Sequence, residues 1–497
     1  MVVAKPAEVF ARDHEWDALC RFVQSDKPGL TIGIVRGRRR HGKSWLLEHA
    51  CAAMSGVYTL ALRQSRKPAL RRFAEQLSQA VGHELGEFTS WTQALNTAVT
   101  ALARTATGNP LLVLDEFPYL VAHSPELPSV IQALYDEHAP GKNGPPFRLI
   151  LCGSAVSVMS TLARGDQALR GRTILDLRVE RFDFRESARY WDVTPDVGFL
   201  IDSVLGGAAG YRDIVDGVPA DDDADGFFSW LATGVLDPSH VLFTEPDYLL
   251  SEDPRIGDRA VYHSIWESAA AGASTPTRIG GDVGMEAKTL SYHLGIMRDA
   301  AFLRYEQDML LQRKPVITVA DPVVRFHNLI VRPQLAALEA RHTARVWESA
   351  EDVFRAKVLG PHFEQIARDW VYRYGQWEGL ADIGQVGTTQ VPCRRHRGHQ
   401  VDVLALNAGG IARSKSSRIT VIGEAKCTRA GCGTTELARL EHIRETLVDQ
   451  GWNAAEARLV LFSRNGFGDE LRGTEAVLVD LATLYGRAGV AGTPGSR

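Results

Sequence analysis

Gly37, Arg38, Arg39, Arg40, His41, Gly42, Lys43 and Ser44 stand in a row that satisfies the phosphate-loop pattern without a mismatch: two glycines separated by four residues, then lysine and a hydroxyl residue. Glycines let the backbone wrap closely so that successive N–H groups face phosphate oxygens, and the helix that follows turns its positive end to the same anion. Lys43 is placed to bridge the β and γ phosphates of ATP, and Ser44 to ligate Mg2+ through its hydroxyl. Further on, the apolar run Leu111 to Leu114 ends in Asp115 and Glu116. Asp115 can hold magnesium through water, and Glu116 can polarise an attacking water as a general base. Such a pair alone also reads as a solvated strand end, and the phosphate loop upstream shifts the balance toward chemistry. Ser154, after the run Leu149 to Cys152, reads either as a sensor hydrogen-bonding the γ phosphate or as a turn serine. Arg38, Arg39 and Arg40 read as side chains on the loop's outer surface that add local positive potential, rather than as a nucleic-acid patch.

A second constellation lies near the other end of the chain. Asp402 sits inside the run Val401 to Leu406, and Glu424 and Lys426 follow the apolar stretch Ile419 to Gly423. Residues two apart on a strand share a face, so Glu424 and Lys426 project together. With Asp402 on an adjacent strand they can take a second Mg2+ or Mn2+ between carboxylates while the ammonium steadies the attacking water or phosphate charge. Glu364, on a helix before them, supplies a further carboxylate. Arg394, Arg395 and Arg397, with His396 and His399, form a basic cluster just before Asp402 that would neutralise a nucleic-acid backbone. A solvated basic loop is the competing reading. Cys393, His396, Cys427 and Cys432 can be combined into a zinc site only with a spacing that matches no ordinary finger.

These residues need elements to hold them. Glu15, Trp16, Leu19 and Phe22 repeat at helical spacing, and Leu30 to Val35 is a buried strand leading into the glycine loop. Strands at Val57 to Leu62, Pro110 to Leu114 and Arg148 to Cys152 alternate with helical stretches at Leu70 to Val81, Trp91 to Leu102 and Leu127 to Tyr135. That alternation predicts an α/β unit with a mostly parallel sheet covered on both faces. From Glu186 to about Leu250 the pattern is helical, broken by glycines and the acidic loop Asp222 to Asp225. Three short helices and a hairpin between Tyr262 and Val319 describe a winged helix. After a helix at His362 to Tyr372, the runs Val401 to Leu406, Ile419 to Gly423 and Ala457 to Phe462, with a helix from Thr435 to Leu447, predict a second α/β domain.

With 497 residues, 45% of them hydrophobic, the chain is long enough for about three domains. Its net charge of −4 argues neither for nor against nucleic acid. Six scattered cysteines read as a reducing compartment, with cytoplasm as the expectation. No apolar run near the start resembles a signal peptide, and none reaches the 18 residues of a membrane span, so no membrane partner is expected.

The order of these blocks resembles the archaeal and bacterial ATPases, related to AAA+ and STAND ATPases, whose members carry a C-terminal DUF234 domain similar to restriction endonucleases. The matching pieces are Gly37 to Ser44, Leu111 to Phe117, Leu151 to Met159, Gly171 with Arg172, Phe182 to Ala188, Glu245 to Leu250 and Asp321 to Phe326. The resemblance implies that Ser154 stands at the sensor 1 position. Arg172 becomes a candidate arginine finger or sensor, acting in cis or from a neighbouring copy in a homo-oligomer. It also places Asp402, Glu424 and Lys426 in a PD-(D/E)XK nuclease pattern. Two departures are His41, where relatives often have valine on the loop's outside, and Gln400, where they often have an acid.

The expected architecture is thus a P-loop NTPase core over residues 1–185, a helical lid over 186–255, a winged helix over 256–320, a helical connector over 321–358, a restriction-endonuclease-like α/β domain over 359–487, and a tail over 488–497. The expected function is Mg2+-dependent ATP hydrolysis controlling a nuclease-like domain that acts on nucleic acid, DNA ahead of RNA. The alternative is an ATP-driven signalling or scaffold switch in which the winged helix and a catalytically inactive nuclease-like fold bind a protein or DNA partner.

Overall fold

The computed structural model describes residues 3–105, 108–139, 141–142, 145–162, 168–220, 224–393 and 398–486. The chain divides into two compact units, the first made of Met1–Arg181 with Ala208–Tyr211 and Leu249–Gly257, the second of the remainder.

In the first unit five strands run parallel: β1 (Leu30–Arg36), β2 (Val57–Leu60), β3 (Leu111–Asp115), β4 (Phe147–Gly153) and β5 (Thr173–Arg178), in the spatial order β2-β3-β4-β1-β5. The continuous apolar runs of β1, β3 and β4 make sense because both faces are covered. Period-two alternation sends Leu112, Leu114, Leu149 and Leu151 into one core with helices Arg66–Val81, Trp91–Thr105 and Leu127–His138. Leu111, Val113, Ile150 and Cys152 go into the other, with helices Asp13–Val23 and Lys43–Ala53. β4 separates the phosphate-loop strand β1 from the acid-bearing strand β3, and the carboxyl ends of all three lie along one edge of the sheet. At the opposite end the fully buried Arg148 donates from its two terminal nitrogens to the carbonyls of Gly29, Ser25 and Lys27, hydrogen bonds that offset part of the cost of burying a guanidinium.

The helix Val156–Thr161 and two further elements of this unit were not expected from the sequence. The short helix Phe117–His123 starts directly after Glu116, and β5 lies at the sheet edge, where its half-exposed residues make no apolar run.

The second unit begins with helix Phe184–Trp191, closed by a reciprocal capping box between Asp183 and Glu186, and the almost wholly buried helix Pro195–Leu205. Helices Arg259–Ala271, Pro276–Val283 and Ala287–Asp299 then lead into an antiparallel hairpin of β6 (Leu303–Glu306) and β7 (Val316–Val319). Helix Gly360–Arg373 precedes β8 (Val386–Val391), β9 (His399–Leu406) and β10 (Ile419–Lys426), and helix Thr434–Asp449 leads to β11 (Arg458–Ser463) and β12 (Val477–Asp480). The sheet order is β12-β11-β10-β9-β8, antiparallel from β8 to β10 and parallel from β10 to β12. The unforeseen strands β8 and β12 are its two edges.

Leu149 sits at the centre of the first sheet, flanked on its ladder by Ile32 and Leu112 and fully buried. Its truncation leaves a cavity that flanking strands cannot close. Leu149→Ala is therefore expected to lower stability by about 2–5 kcal/mol. A urea titration followed by circular dichroism, with an unchanged midpoint, would contradict this packing.

Candidate functional site

The loop from Gly37 to Gly42 is held from inside as well as by its own backbone. A Cβ on Gly37 would stand 2.2 Å from the Val179 carbonyl oxygen, so only glycine lets the loop pass the end of β5. Gly42, at φ 82°, turns the chain into helix Lys43–Ala53. Arg38 and His41, expected on the loop's outer surface, are buried instead. His41 places Nδ1 3.2 Å from the Val179 carbonyl, and its own carbonyl accepts from the Arg12 guanidinium at 3.0 Å. Burial, reinforced by the charges of Arg38 and Lys43, holds the His41 ring well below the usual histidine range, so it stays neutral. Arg39 is half exposed, and Arg40 lies over the Tyr211 ring at 5.3 Å.

Lys43 is buried, with its ammonium donating to the Arg38 carbonyl at 2.9 Å, so the charge expected to meet phosphate rests against the loop's own backbone. Ser44 donates to Asp115 Oδ2 at 2.6 Å, and Tyr58 donates to the same oxygen at 2.6 Å. The other oxygen, Oδ1, accepts the Glu116 backbone N–H at 2.8 Å. Glu116 itself has φ 52°, left-handed for a residue with a side chain, which is the kind of strain that persists where surrounding structure fixes it. Ser154 donates to Glu116 Oε2 at 3.2 Å. Burial and the neighbouring Asp115 raise the Glu116 carboxyl above the ordinary range, against a smaller pull from Lys43. Ser44, the adjacent pair Asp115 and Glu116, and Ser154, from three distant parts of the sequence, thus form one hydrogen-bonded chain. The hydroxyl of Ser44 and carboxylate of Asp115 are hard oxygen donors of the kind Mg2+ takes.

Arg172 stands apart from that chain. Its guanidinium makes a bidentate pair with Asp136, at 3.0 and 3.1 Å, and lies over Tyr135. A role on a γ phosphate requires that pair to open.

Two participants escaped the sequence reading. Tyr58 lies on β2 with nothing local to mark it. Glu252 follows the block Glu245 to Leu250, and its side chain, 10% exposed, approaches Arg39 at 3.8 Å. Burial pushes Glu252 up to about 7, opposed by Arg38, Lys43 and Arg39 and supported by Glu116.

In the second unit Asp402, Glu424, Lys426 and Glu364 lie near one another. Lys426 pairs with Glu424 Oε1 at 2.6 Å, and Arg439, on helix Thr434–Asp449, donates to the same oxygen and to the Gln400 carbonyl at 2.9 Å. Glu424 Oε2 is buried with no hydrogen-bond partner, an orphaned carboxylate oxygen that suits a cation. Asp402 accepts the Ala425 N–H at 3.1 Å and the Gln400 amide at 3.2 Å, and its carbonyl accepts from Arg368 at 3.1 Å. Burial, then the charge of Asp402, raises Glu364 to about 7, and the same two causes raise Glu424. Burial lowers the Lys426 ammonium, but the bond to Glu424 outweighs it and the net direction is upward. Arg368 and Arg439 were not foreseen. Arg394, Arg395, His396 and Arg397 lie outside the described residues. Among the described residues the ligating group whose donor atoms all lie within 4.8 Å of one another is Cys393, His399 and His442; it includes neither Cys427 nor Cys432 and is not the carboxylate set.

A family model described as an AAA domain matches residues 31–188. Those residues form an AAA ATPase domain. Among curated proteins, the uncharacterized protein MJECL04 of Methanocaldococcus jannaschii is 21% identical over 406 residues, covering 80% of this chain and 84% of its own. Among solved structures, the Walker-type ATPase paby2304 of Pyrococcus abyssi is 17% identical with a TM-score of 0.47, covering 65% of this chain and 96% of that one. The ORC2 protein of Aeropyrum pernix, solved in ADPNP–ADP complexes, is 12% identical with a TM-score of 0.47, covering 68% and 96%. At these scores neither likeness says what this chain does. No helix among the described residues is long and apolar enough to cross a membrane.

The raised Glu252 carboxyl gives a pH signature. A folded acid that holds its proton more tightly than the unfolded chain stabilises the fold below the ordinary value of 4.5 and loses that contribution as pH rises to about 7. Wild type is expected to lose up to about 3 kcal/mol more than Glu252→Gln across this window. Parallel pH profiles of denaturation in the two proteins would remove Glu252 from the loop's electrostatics.

Proposed function

We propose that this chain is a magnesium-dependent ATPase working as a slow switch, and that its nucleotide state governs a C-terminal domain acting on nucleic acid. The observation that carries the first part is the hydrogen-bonded chain from Ser44 through Asp115 and Glu116 to Ser154, beside the buried Lys43. Lys43 would exchange the Arg38 carbonyl for phosphate oxygens, a stronger, charge-assisted bond. Magnesium, held by Ser44 and Asp115, would supply charge neutralisation between the phosphates. Glu116 takes the proton of the water that attacks the γ phosphorus; the new P–O bond forms as the bond to the β-phosphate oxygen breaks and ADP leaves. Ser154 holds the acceptor oxygen of Glu116 in place. Arg172, released from Asp136, would act as finger or sensor.

The C-terminal reading rests on a helix followed by three antiparallel strands, a helix and a parallel strand, with Asp402, Glu424 and Lys426 gathered on β9 and β10. This agrees with the PD-(D/E)XK arrangement. Three helices and the β6–β7 hairpin support a winged helix, a module that contacts DNA or protein. Control by nucleotide is favoured by Glu252, which belongs to a segment of the first unit whose two ends lead straight into the second. One observation favours the scaffold alternative: Lys426 and Arg439 both occupy Glu424 Oε1, which neutralises the carboxylate without a metal.

For the ATPase, Lys43→Ala is expected to weaken nucleotide binding about 10- to 100-fold. Glu116→Gln should keep binding and lose about 100- to 10,000-fold in turnover. Unchanged ATP affinity in Lys43→Ala, measured by calorimetry, ends this assignment. In the same assay Arg172→Ala should turn over more slowly, and a rate per chain that is constant across a concentration range where oligomers form eliminates action in trans.

For the C-terminal domain, full-length protein with ATP is expected to cut DNA in Mn2+ and not in chelator, and Asp402→Ala and Lys426→Ala should abolish cutting while ATP binding persists. Because Glu364 must lose a proton held to about 7 before it can ligate, cutting should rise between pH 6 and pH 8. Binding of DNA without metal-dependent cutting would select the scaffold reading.

A further inference from the structure

We propose that Cys393, His399 and His442 form a zinc-type metal site in the second unit, separate from the carboxylate cluster of Asp402 and Glu424. Cys393 follows the end of β8, His399 opens β9, and His442 comes from helix Thr434–Asp449, so three elements converge on one point. One donor atom from each lies within 4.8 Å of the other two, and all three residues are partly accessible.

The spacing fits the ion. Tetrahedral zinc with a sulfur ligand at about 2.3 Å and a nitrogen at about 2.05 Å sets those two atoms about 3.6 Å apart. The Cys393 sulfur and His442 Nε2 stand 3.6 Å apart. The His399 and His442 rings meet edge to face, with centroids 5.3 Å apart. Without metal the first contact is a thiol–imidazole hydrogen bond, so the pair is already set at ligand distance. Metal entry would release the Cys393 thiol proton to solvent and leave a thiolate bound to the ion, with the imidazoles coordinating as neutral ligands.

The donor set also selects the metal class. One thiolate and two imidazoles suit zinc and its neighbours, whereas the oxygen donors around Ser44 and around Asp402 suit Mg2+ or Mn2+. Three protein ligands leave one tetrahedral position for water. The ion would tie Cys393, just past the end of β8, and His399, at the start of β9, to helix Thr434–Asp449, which also carries Arg439, the partner of Glu424. Cys427 and Cys432, despite their nearness in sequence to Glu424, take no part: the Cys432 thiol points to the Phe462 carbonyl at 3.8 Å.

Cobalt is the probe because a thiolate–Co2+ bond absorbs in the near ultraviolet and an oxygen-only site does not. Full-length protein stripped by chelator and titrated with Co2+, without nucleotide, is expected to develop this charge-transfer band at one equivalent, with tetrahedral visible bands that Zn2+ displaces and Mg2+ leaves alone. Cys393→Ser should abolish the charge-transfer band, and His442→Gln should weaken Co2+ binding at least about tenfold. Cys427→Ser and Cys432→Ser should retain both properties. In wild type, Zn2+ should protect Cys393 from alkylation, read by peptide mass spectrometry, a measurement that needs no variant to fold. Absence of the thiolate band, its survival in Cys393→Ser, or alkylation of Cys393 at the same rate with and without Zn2+ would overturn the site.

Discussion

A carboxylate buried at the end of a strand must have its oxygens satisfied, and Asp115 imposes that requirement on the whole AAA domain. Its Oδ2 receives Ser44 and Tyr58, its Oδ1 receives the Glu116 amide. Those partners come from the helix after β1, from β2 and from the turn after β3, so the sheet order must bring the three together. Placing β4 between β1 and β3 sets the phosphate loop and Asp115 at the carboxyl ends of two strands that are not neighbours. The same bond that satisfies Asp115 from its neighbour Glu116 accompanies a left-handed turn, which directs the Glu116 side chain to Ser154.

The loop's inner packing follows from a related constraint. Successive cationic residues around a phosphate loop repel one another until an anion arrives. Arg38 and Lys43 are buried close to His41, and the protein avoids a third charge there by keeping that ring neutral against the Val179 carbonyl. Glu252, from a distant segment, faces these cations with a carboxyl that burial pushes up to about 7, so it supplies the opposite sign only once it loses its proton there. A loop built this way is held by hydrogen bonds and burial while one positive side chain, Arg39, stays half exposed.

The carboxylate cluster of the second unit answers the same problem with different partners. Glu424 is almost wholly inside, beside Asp402 and Glu364, where like charges disfavour joint ionisation. Lys426 and Arg439 offset that repulsion at one oxygen of Glu424 and leave the other without a donor. The result is a site whose charge balance changes with pH and with any cation that enters. Glu424 is paired with Leu461 of β11, and Asp402 lies on β9 between the paired residues Val401 and Val403, so both stand on strands inside a mixed sheet, and rigid strands make better supports for such groups than loops.

The phosphate loop, the Asp115–Glu116 pair and the Glu424–Lys426 pair were legible in the sequence because each depends on residue type at short spacing, whereas Asp402 stands on a separate strand and was joined to them through the family resemblance. The central strands β1, β3, β4, β9, β10 and β11 were legible for a similar reason, since burial on both faces leaves a continuous apolar run. Edge strands β5, β8 and β12 were not, because a strand with solvent on one side and a neighbour on only one edge need show no such run; the edge strand β2 was read because Val57 to Leu62 is itself largely apolar. Nor could the sequence place Arg38 and His41 inside the loop, join Tyr58 to Asp115, bring Arg439 to Glu424 or assemble Cys393 with His399 and His442. Each of those depends on which distant segments the fold brings within a few ångströms, and that is decided by core packing and sheet order, which single residues at fixed local spacing do not encode.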